Sequence, residues 1–340
     1  MGTIKIINPG FLTTVQDQGR YGYQQYGVPV SGVMDNFAHR IGNILVGNHE
    51  LEAVLEVTML GPQIEFRSNE IISITGGDLS PRINGQEVSM WRSIKVNEGD
   101  VLSFTGMKNG CRSYIAFSGG IDVPIIMGSK STYRKGKIGG HEGRNLKAGD
   151  LINIQQSKNI FKERIVPNKY IPKYTNEFHV CVILGPQDEY FTDKGIQTFL
   201  SNEYTVTNEC DRMGFRLDGE EIEHVEGADI ISDGIGFGAI QIPGHGKPII
   251  MMADRQTTGG YTKIGNVISS DLCKIAQAKP GDKIAFEKIR VEEAQEILKK
   301  EEEKIDAIKK ECCCREIIRS MEYSLRINGK SYDVKVEEVK

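Results

Sequence analysis

The 340-residue chain reads as mostly β: two related β-rich units, barrels or sandwiches, with a few short helices and a C-terminal extension. Three observations predict this. The 38 glycines cluster in polar turns between segments rich in Ile, Val and Phe, such as "EIISITGG", "SYIAFSGG" and "DIISDGIG", as short strands joined by tight turns require. Sequence words recur in one order: "LGPQIEF" (60–66) and "PIIMGSKST" (124–132) are echoed by "LGPQDEYF" (184–191) and "PIIMMADRQTT" (248–258), as duplication of a unit predicts. Gly-Asp followed by alternating apolar residues appears as "EGDVLSF", "AGDLINI" and "PGDKIAF", each a turn feeding a strand.

The first unit spans 1–158. In "VMDNFAHRIGNILVGN" the residues Met34, Phe37, Ala38, Ile41, Ile44 and Leu45 recur at helical spacing before a Gly47-Asn48 stop, which predicts a helix from about Asp35 to Val46. Ser31 or Asp35 is placed to cap it. Asn84-Gly85 in "SPRINGQEV" predicts a hairpin, because both central positions of a type I′ turn need positive φ. The Lys-rich "QQSKNIFKERIVPNKYIPKYT" (155–175), with Pro167 and Pro172 and no periodicity, marks the break between units.

The second unit, 176–290, carries a short helix around Asp193 to Leu200. From Val291 the extension, 291–340, opens as a charged helix. Its apolar or small residues at 291, 294, 298, 305, 308 and 312 approximate a heptad seam interrupted by Glu301 and Arg315. Such a helix either lies on its own barrel or associates with another. Three cysteines, Cys312 to Cys314, follow, and "YSLRINGKSYDVKVEE" reads as a final hairpin turning at Asn328-Gly329, which needs something to pack on.

Composition narrows the function. At 39% hydrophobic, 26% charged and a net charge of -4, the chain describes a soluble globular protein with no bulk attraction to nucleic acid or anionic lipid. No apolar run approaches membrane-helix length and no signal peptide opens the sequence, so a cytoplasmic location is expected. The seven cysteines show no paired spacing. "GSKST" lacks the Walker spacing, "GIGFG" lacks a βαβ context, the six histidines form no metal-ligand pattern, and no G-x-S-x-G elbow occurs. No metal is expected.

What remains are polar loop clusters. Gln16, Asp17, Arg20, Ser31 and Asp35 lie ahead of the first helix. Asp211, Arg212 and Arg216 crowd a turn in "NECDRMGFRLDG". "MADRQTTGGYTKIG" (252–265) contributes Asp254, Arg255, Gln256, Thr257, Thr258, Gly259, Gly260 and Tyr261, with a weaker echo at Ser129, Ser131 and Thr132. Arg forks, Gln and Thr side chains and Gly-Gly amides are donors suited to a carbonyl, a carboxylate or a developing oxyanion. None of them is a nucleophile with a paired base. Each cluster taken alone also fits β-turn chemistry with an internal Asp-Arg bridge.

"GFLTTVQDQGRYGYQQYGVPVSGVMD", "ITGGDLSPRING", "RSYIAFSGGIDVPIIMGSKST", "DRMGFRLDG" and "GAIQIPGHGKPIIMMADRQTTGGYTKIGNVISSDLCKIAQAKPGDKIAF" together resemble the family of the 5-oxoprolinase C component. That family is also called allophanate hydrolase subunit 2, the Kip antagonist or biotin-dependent carboxyltransferase. The resemblance runs from about residue 3 to about 300. It implies tandem cyclophilin-like β-barrels and a cytoplasmic complex with subunits A and B that opens the lactam of 5-oxoproline to L-glutamate at the expense of ATP. Relatives fused into urea carboxylase move a carboxyl group from carboxybiotin to urea, and another relative counteracts an inhibitor of a sporulation histidine kinase without catalysis.

On this reading the catalytic candidates are Asp17, Arg20, Arg212, Asp254, Arg255, Gln256, Thr257, Thr258 and Tyr261. The substrate-binding candidates are Ser31, Asp35, Ser129, Ser131, Thr132, Asp211, Arg216, Gln241, Gly259 and Gly260. ATP is expected at the level of the complex and biotin in the alternative. The final hairpin resembles the opening strands of a biotin carrier domain, without the Met-Lys-Met biotinylation motif.

Overall fold

A computed structural model describes residues 2–157, 162–312, 317–327 and 329–339. The first unit wraps two sheets around one core. The seven-stranded sheet runs, in spatial order, Ile121–Asp122, Leu151–Ile154, Gly2–Asn8, Gln63–Phe66, Val101–Phe104, Pro81–Ile83 and Gln86–Glu87. The five-stranded sheet runs Leu12–Gln16, Val54–Thr58, Asn109–Phe117, Glu70–Asp78 and Ser93–Val96.

Helix α1 (Asn36–Val46) covers the outer face of the five-stranded sheet. Strand alternation shows how: Ile115 and Phe117 point into the core, while Tyr114 and Ala116 meet Phe37, Ala38 and Ile41 of α1. Ser73 Oγ and Thr75 Oγ1 each donate at 2.7 Å to α1 carbonyls, Gly42 and Ala38. The helix starts and stops as its sequence predicts, with the Asp35 carboxylate accepting the Ala38 N–H at 2.9 Å and Gly47 in the left-handed region at φ 77°. Asn84 and Gly85 turn the predicted hairpin at φ 51° and 81°.

The second unit closes into a seven-stranded barrel: Glu177–Leu184, Lys263–Val267, Ala239–Gln241, Ile249–Met251, Gly214–Asp218, Glu203–Cys210 and Lys283–Lys288. The first and last of these pair in parallel to complete the circle. Helix α2 (Asp193–Ser201), capped by Thr192, packs Phe199 on Phe286 with ring centroids 4.5 Å apart. Helix α3 (Leu272–Gln277) is too short to show a period in the sequence and was not anticipated. A two-stranded ribbon, Asp229–Gly234 with Thr258–Tyr261, is paired apart from the barrel ladder.

The tandem β-barrel architecture therefore holds, yet the echoed words do not fold alike. Gly61-Pro62 leads into a strand, whereas Gly185-Pro186 follows one; Ile249–Met251 is a strand, whereas Pro124 to Met127 is loop. The Gly-Asp turns do recur, each feeding a strand at Val101, Leu151 or Lys283.

Helix α4 (Val291–Glu311) turns back onto the first unit, which decides between the two readings of its apolar stripe. Ile305, Ile308 and Cys312 are buried with α1 residues, while Val291 and Leu298 are exposed. Arg40 of α1 grips Glu302 through two bonds of 2.5 and 2.7 Å and reaches Glu50 at 3.1 Å. Because Glu302 is half exposed, a double-mutant cycle of Arg40→Ala and Glu302→Ala should give a coupling of only about 0.5–1 kcal/mol. Hydrogen exchange in α4 should accelerate in both single variants; unchanged exchange would mean the pair does not hold the helix. Beyond α4, Ile317–Ile327 and Lys330–Val339 form the expected antiparallel hairpin, whose Asn328 lies outside the described residues, as do Cys313 and Cys314. Among the described residues no helix is long and apolar enough to cross a membrane, and no cluster of three His, Cys, Asp or Glu could hold a metal.

Candidate functional site

The two units meet along a polar seam. Gln277, at the end of α3 and fully buried, uses its whole amide: Oε1 accepts the N–H groups of Cys111 and Arg112 at 3.1 and 2.9 Å, and Nε2 donates to Asp35 at 2.8 Å and to the Arg112 carbonyl at 3.0 Å. Beside it Arg212 and Asp254 of the second unit lock onto Glu56 of the first. The Arg212 fork meets Asp254 at 3.0 and 3.1 Å, its Nη1 donates to Glu56, and its Nη2 donates to the Gly32 carbonyl at 2.6 Å. Glu56 also receives the Met34 N–H at 2.8 Å and the Tyr114 hydroxyl at 3.0 Å. With these three charged side chains nearly inaccessible, the network is a fastening between units. Arg212 and Asp254 thus spend most of their bonding capacity on this fastening rather than on a ligand.

The first polar cluster is tied up in the same way. Asp17 accepts the Gly19 N–H, the Ser129 and Ser131 hydroxyls and the Lys130 N–H at 2.5 to 2.9 Å, so it organises the 129–131 loop and is not placed as a free acid or base. Arg20, with 0% of its surface exposed, donates to the carbonyls of Ile126 and Ser131 at 2.9 and 2.8 Å. Thr132 bonds the Val15 carbonyl, and Ser31 is buried with its N–H on the Ala253 carbonyl at 3.1 Å. Asp35 is the α1 cap. Ser31, Asp35, Ser129, Ser131 and Thr132 are thus all buried, and the Ser31 hydroxyl has no hydrogen-bond partner among the described residues.

The "MADRQTTGGYTKIG" stretch divides. Arg255 is buried, donating to Ile235 at 3.0 Å and lying over the Phe237 ring at 5.4 Å, which makes it a staple of the barrel wall. Gln241 is buried too, its amide 3.4 Å from the Tyr261 carbonyl. Gln256, Thr258 and Tyr261 stand exposed, with Thr257, Gly259 and Gly260 half-buried, on and before the outer strand of the ribbon. Arg216 is exposed and paired with Glu209 at 3.0 Å.

Between the units the seam opens into a cleft of about 920 Å³, lined by eight basic against three acidic side chains. Asp211, Arg212 and Asp254 reach its wall, but the Gln256–Tyr261 segment does not. Arg134, Lys135, Lys137 and Lys147, on the loop after Thr132, supply cations that form no ion pair among the described residues, whereas Arg144 is held by Glu142 and Asp150, and Lys279 by Asp282. A protein of net charge -4 has concentrated positive charge in this cleft. Burial pushes the cleft thiols Cys111 and Cys210 up, with Arg112 opposing in each case.

Residues 26–288 match the family described as the carboxyltransferase domain, subdomain A and B. The chain belongs to that family. This carboxyltransferase domain is 36% identical over 292 residues to the C component of 5-oxoprolinase from Escherichia coli K12, covering 86% of this chain and 93% of that protein. It is 34% identical to urea amidolyase of Saccharomyces cerevisiae over 86% of this chain but only 17% of that one. A solved structure of the K. lactis urea amidolyase superposes with a TM-score of 0.86 at 31% identity, covering 90% of this chain and 20% of the other.

Of the residues at the seam and cleft, sequence reasoning singled out Asp211, Arg212 and Asp254 but missed Glu56, Gln277 and the basic residues of the 134–147 loop. Glu56 did carry a signal, as a lone acid inside the apolar strand "AVLEVTML" that must be paired if buried. The 134–147 lysines and Gln277 carried none, since their neighbours are assembled only by the fold. What the carboxyltransferase domain offers chemically is a cationic cleft and a separate donor-bearing ribbon.

Proposed function

We propose that this chain is the C component of an ATP-dependent 5-oxoprolinase, working with A and B subunits to open the lactam of 5-oxoproline to L-glutamate. The observation that carries the reading is coverage: at 36% identity the chain matches 93% of the E. coli C component. Its own contribution would be to hold and polarise an amide whose ring bears a carboxylate, a task for donors and fixed cations. ATP is a substrate of the complex in this reading. Mixing the chain with its A and B partners, ATP and 5-oxoproline should yield glutamate; folded subunits that yield none would remove the proposal and favour a regulatory binding protein.

Carboxyl transfer is the second reading, favoured by the 33–34% identity to the urea amidolyases. Carboxybiotin, which would supply the transferable carboxyl group, presents a carboxylate and a ureido carbonyl as acceptors at its reactive end. The donors facing the cleft, Arg112 and the loop lysines, fit that set. Transfer to urea by the chain with free carboxybiotin would select this reading.

In either case the ribbon residues should act without holding the fold. Gln256→Ala, Thr258→Ala and Tyr261→Ala are exposed changes expected to alter stability by less than about 0.5 kcal/mol. In the reconstituted complex each should lower turnover by about tenfold or more if the ribbon positions substrate or partner. Unchanged turnover in all three would leave the ribbon outside the function.

A further inference from the structure

We infer that the seam cleft is an oxyanion-binding site with Arg112 as its floor, taking a carboxylate or phosphoryl group on a small organic molecule. The inference deepens the 5-oxoprolinase reading by giving residues to the substrate's charged end, and it rests on that reading for the identity of the ligand. Arg112 is the fourth residue of the strand Asn109–Phe117 and is only 4% exposed, yet it lines the cleft. Its Nη1 is committed to the Cys111 sulfur at 3.1 Å and to the Ala276 carbonyl. Its Nε is buried with no hydrogen-bond partner, and its guanidinium lies 5.7 Å from the Phe215 ring.

Thr58, 7% exposed on the neighbouring strand and also lining the cleft, has a buried hydroxyl with no partner either. A buried guanidinium donor left without an acceptor is costly, and two unanswered polar groups at one floor mark a place where a ligand completes the bonding. An arginine fork of this kind prefers planar or tetrahedral oxyanions. Lys135, Lys137 and Lys147 at the rim add unpaired positive charge, while Phe11, Met59 and Met213 give an apolar wall for the hydrocarbon part of an organic acid. The anchoring is preset: Gln277 fixes the Arg112 backbone through both its N–H and its carbonyl, so the floor is built where the two units join.

The test is calorimetric titration of the full chain, without partners or ATP, using 5-oxoproline, inorganic phosphate and the neutral lactam 2-pyrrolidinone. At least one of the two anions should bind about tenfold or more tightly than the neutral lactam, and its binding should weaken as salt rises to about 0.3 M. Preference for 5-oxoproline names the substrate carboxylate as the source; preference for phosphate names a phosphorylated species. Arg112→Gln should cost about tenfold or more in affinity. Should that variant fail to fold, Lys137→Ala combined with Lys147→Ala, both away from the buried floor, should weaken binding and flatten its salt dependence.

No binding of either anion to the folded chain, or equal binding of the neutral lactam, would overturn the inference. So would unchanged affinity in a folded Arg112→Gln chain. Because no turnover is measured, a chain that binds 5-oxoproline but makes no glutamate with its partners keeps the anion site and loses the 5-oxoprolinase reading.

Discussion

Arg212→Met is expected to destabilise the chain by about 3–5 kcal/mol, read from the midpoint of a urea unfolding curve. The methionine removes a cation that answers two carboxylates, Glu56 and Asp254, each with little or no contact with solvent. Both would be left as uncompensated buried charges, and the Gly32 carbonyl would lose its donor. Because the three side chains come from both units, the loss should appear as weakened coupling between them, with a broader transition or two resolved ones. Arg216→Ala four residues away, at a pair that is more than half exposed, should change stability by less than about 0.5 kcal/mol. Adding Glu56→Gln and Asp254→Asn to Arg212→Met should recover a large part of the loss, since no charge then remains buried. Equal effects at Arg212 and Arg216 would show that the network is not what joins the units.

The contrast between these two arginines explains what the sequence could and could not say about the site. Both lie in "DRMGFRLDG", both look like donors waiting for an oxyanion, and nothing local separates them. Their fates depend on partners 156 residues away for Arg212 and seven for Arg216. Arg20 is similar in part: its Nε and Nη2 donate to carbonyls more than a hundred residues distant, while its buried Nη1 has no partner among the described residues. A polar loop has the same composition whether a ligand or the protein's own backbone will satisfy it.

Local signals fared better. The α1 stripe, its Asp35 cap, the Gly47 stop and the Asn84-Gly85 turn are each settled within one or two turns of chain, and all four were legible. Ordered repetition suggests a two-unit plan, although the repeated words occupy different local structures. The cationic cleft was not legible, because its lysines come from a loop without periodicity and its floor from a strand that reads as ordinary core.

Asp35 carries the prediction that joins fold and pH. Burial pushes its carboxyl from an ordinary 3.8 up to about 6, against the opposing hydrogen bonds from Ala38, Gln277 and Tyr174 and with a small further push from Glu301 on α4. The folded state therefore holds this proton more tightly than the unfolded chain does. Its contribution to stability is fully present below pH 3.8 and is lost as pH rises through about 6, a change of about 3 kcal/mol across that window. Asp35→Asn abolishes the titration but turns an amide donor or a single oxygen toward the Gln277 amide and Tyr174, where a carboxylate had served three donors. Measured as wild type minus variant, the stability advantage should be largest near pH 4 and shrink by about 3 kcal/mol by pH 7. Taking the difference cancels most of the groups that titrate in the same range with the opposite sign, such as Asp150 and Glu302, whose partners Arg144 and Arg40 hold them below their usual values. A difference that stays constant from pH 4 to 7 would mean that Asp35 titrates at its ordinary value, and that the junction of α1, α3 and the inter-unit linker does not bury it as described.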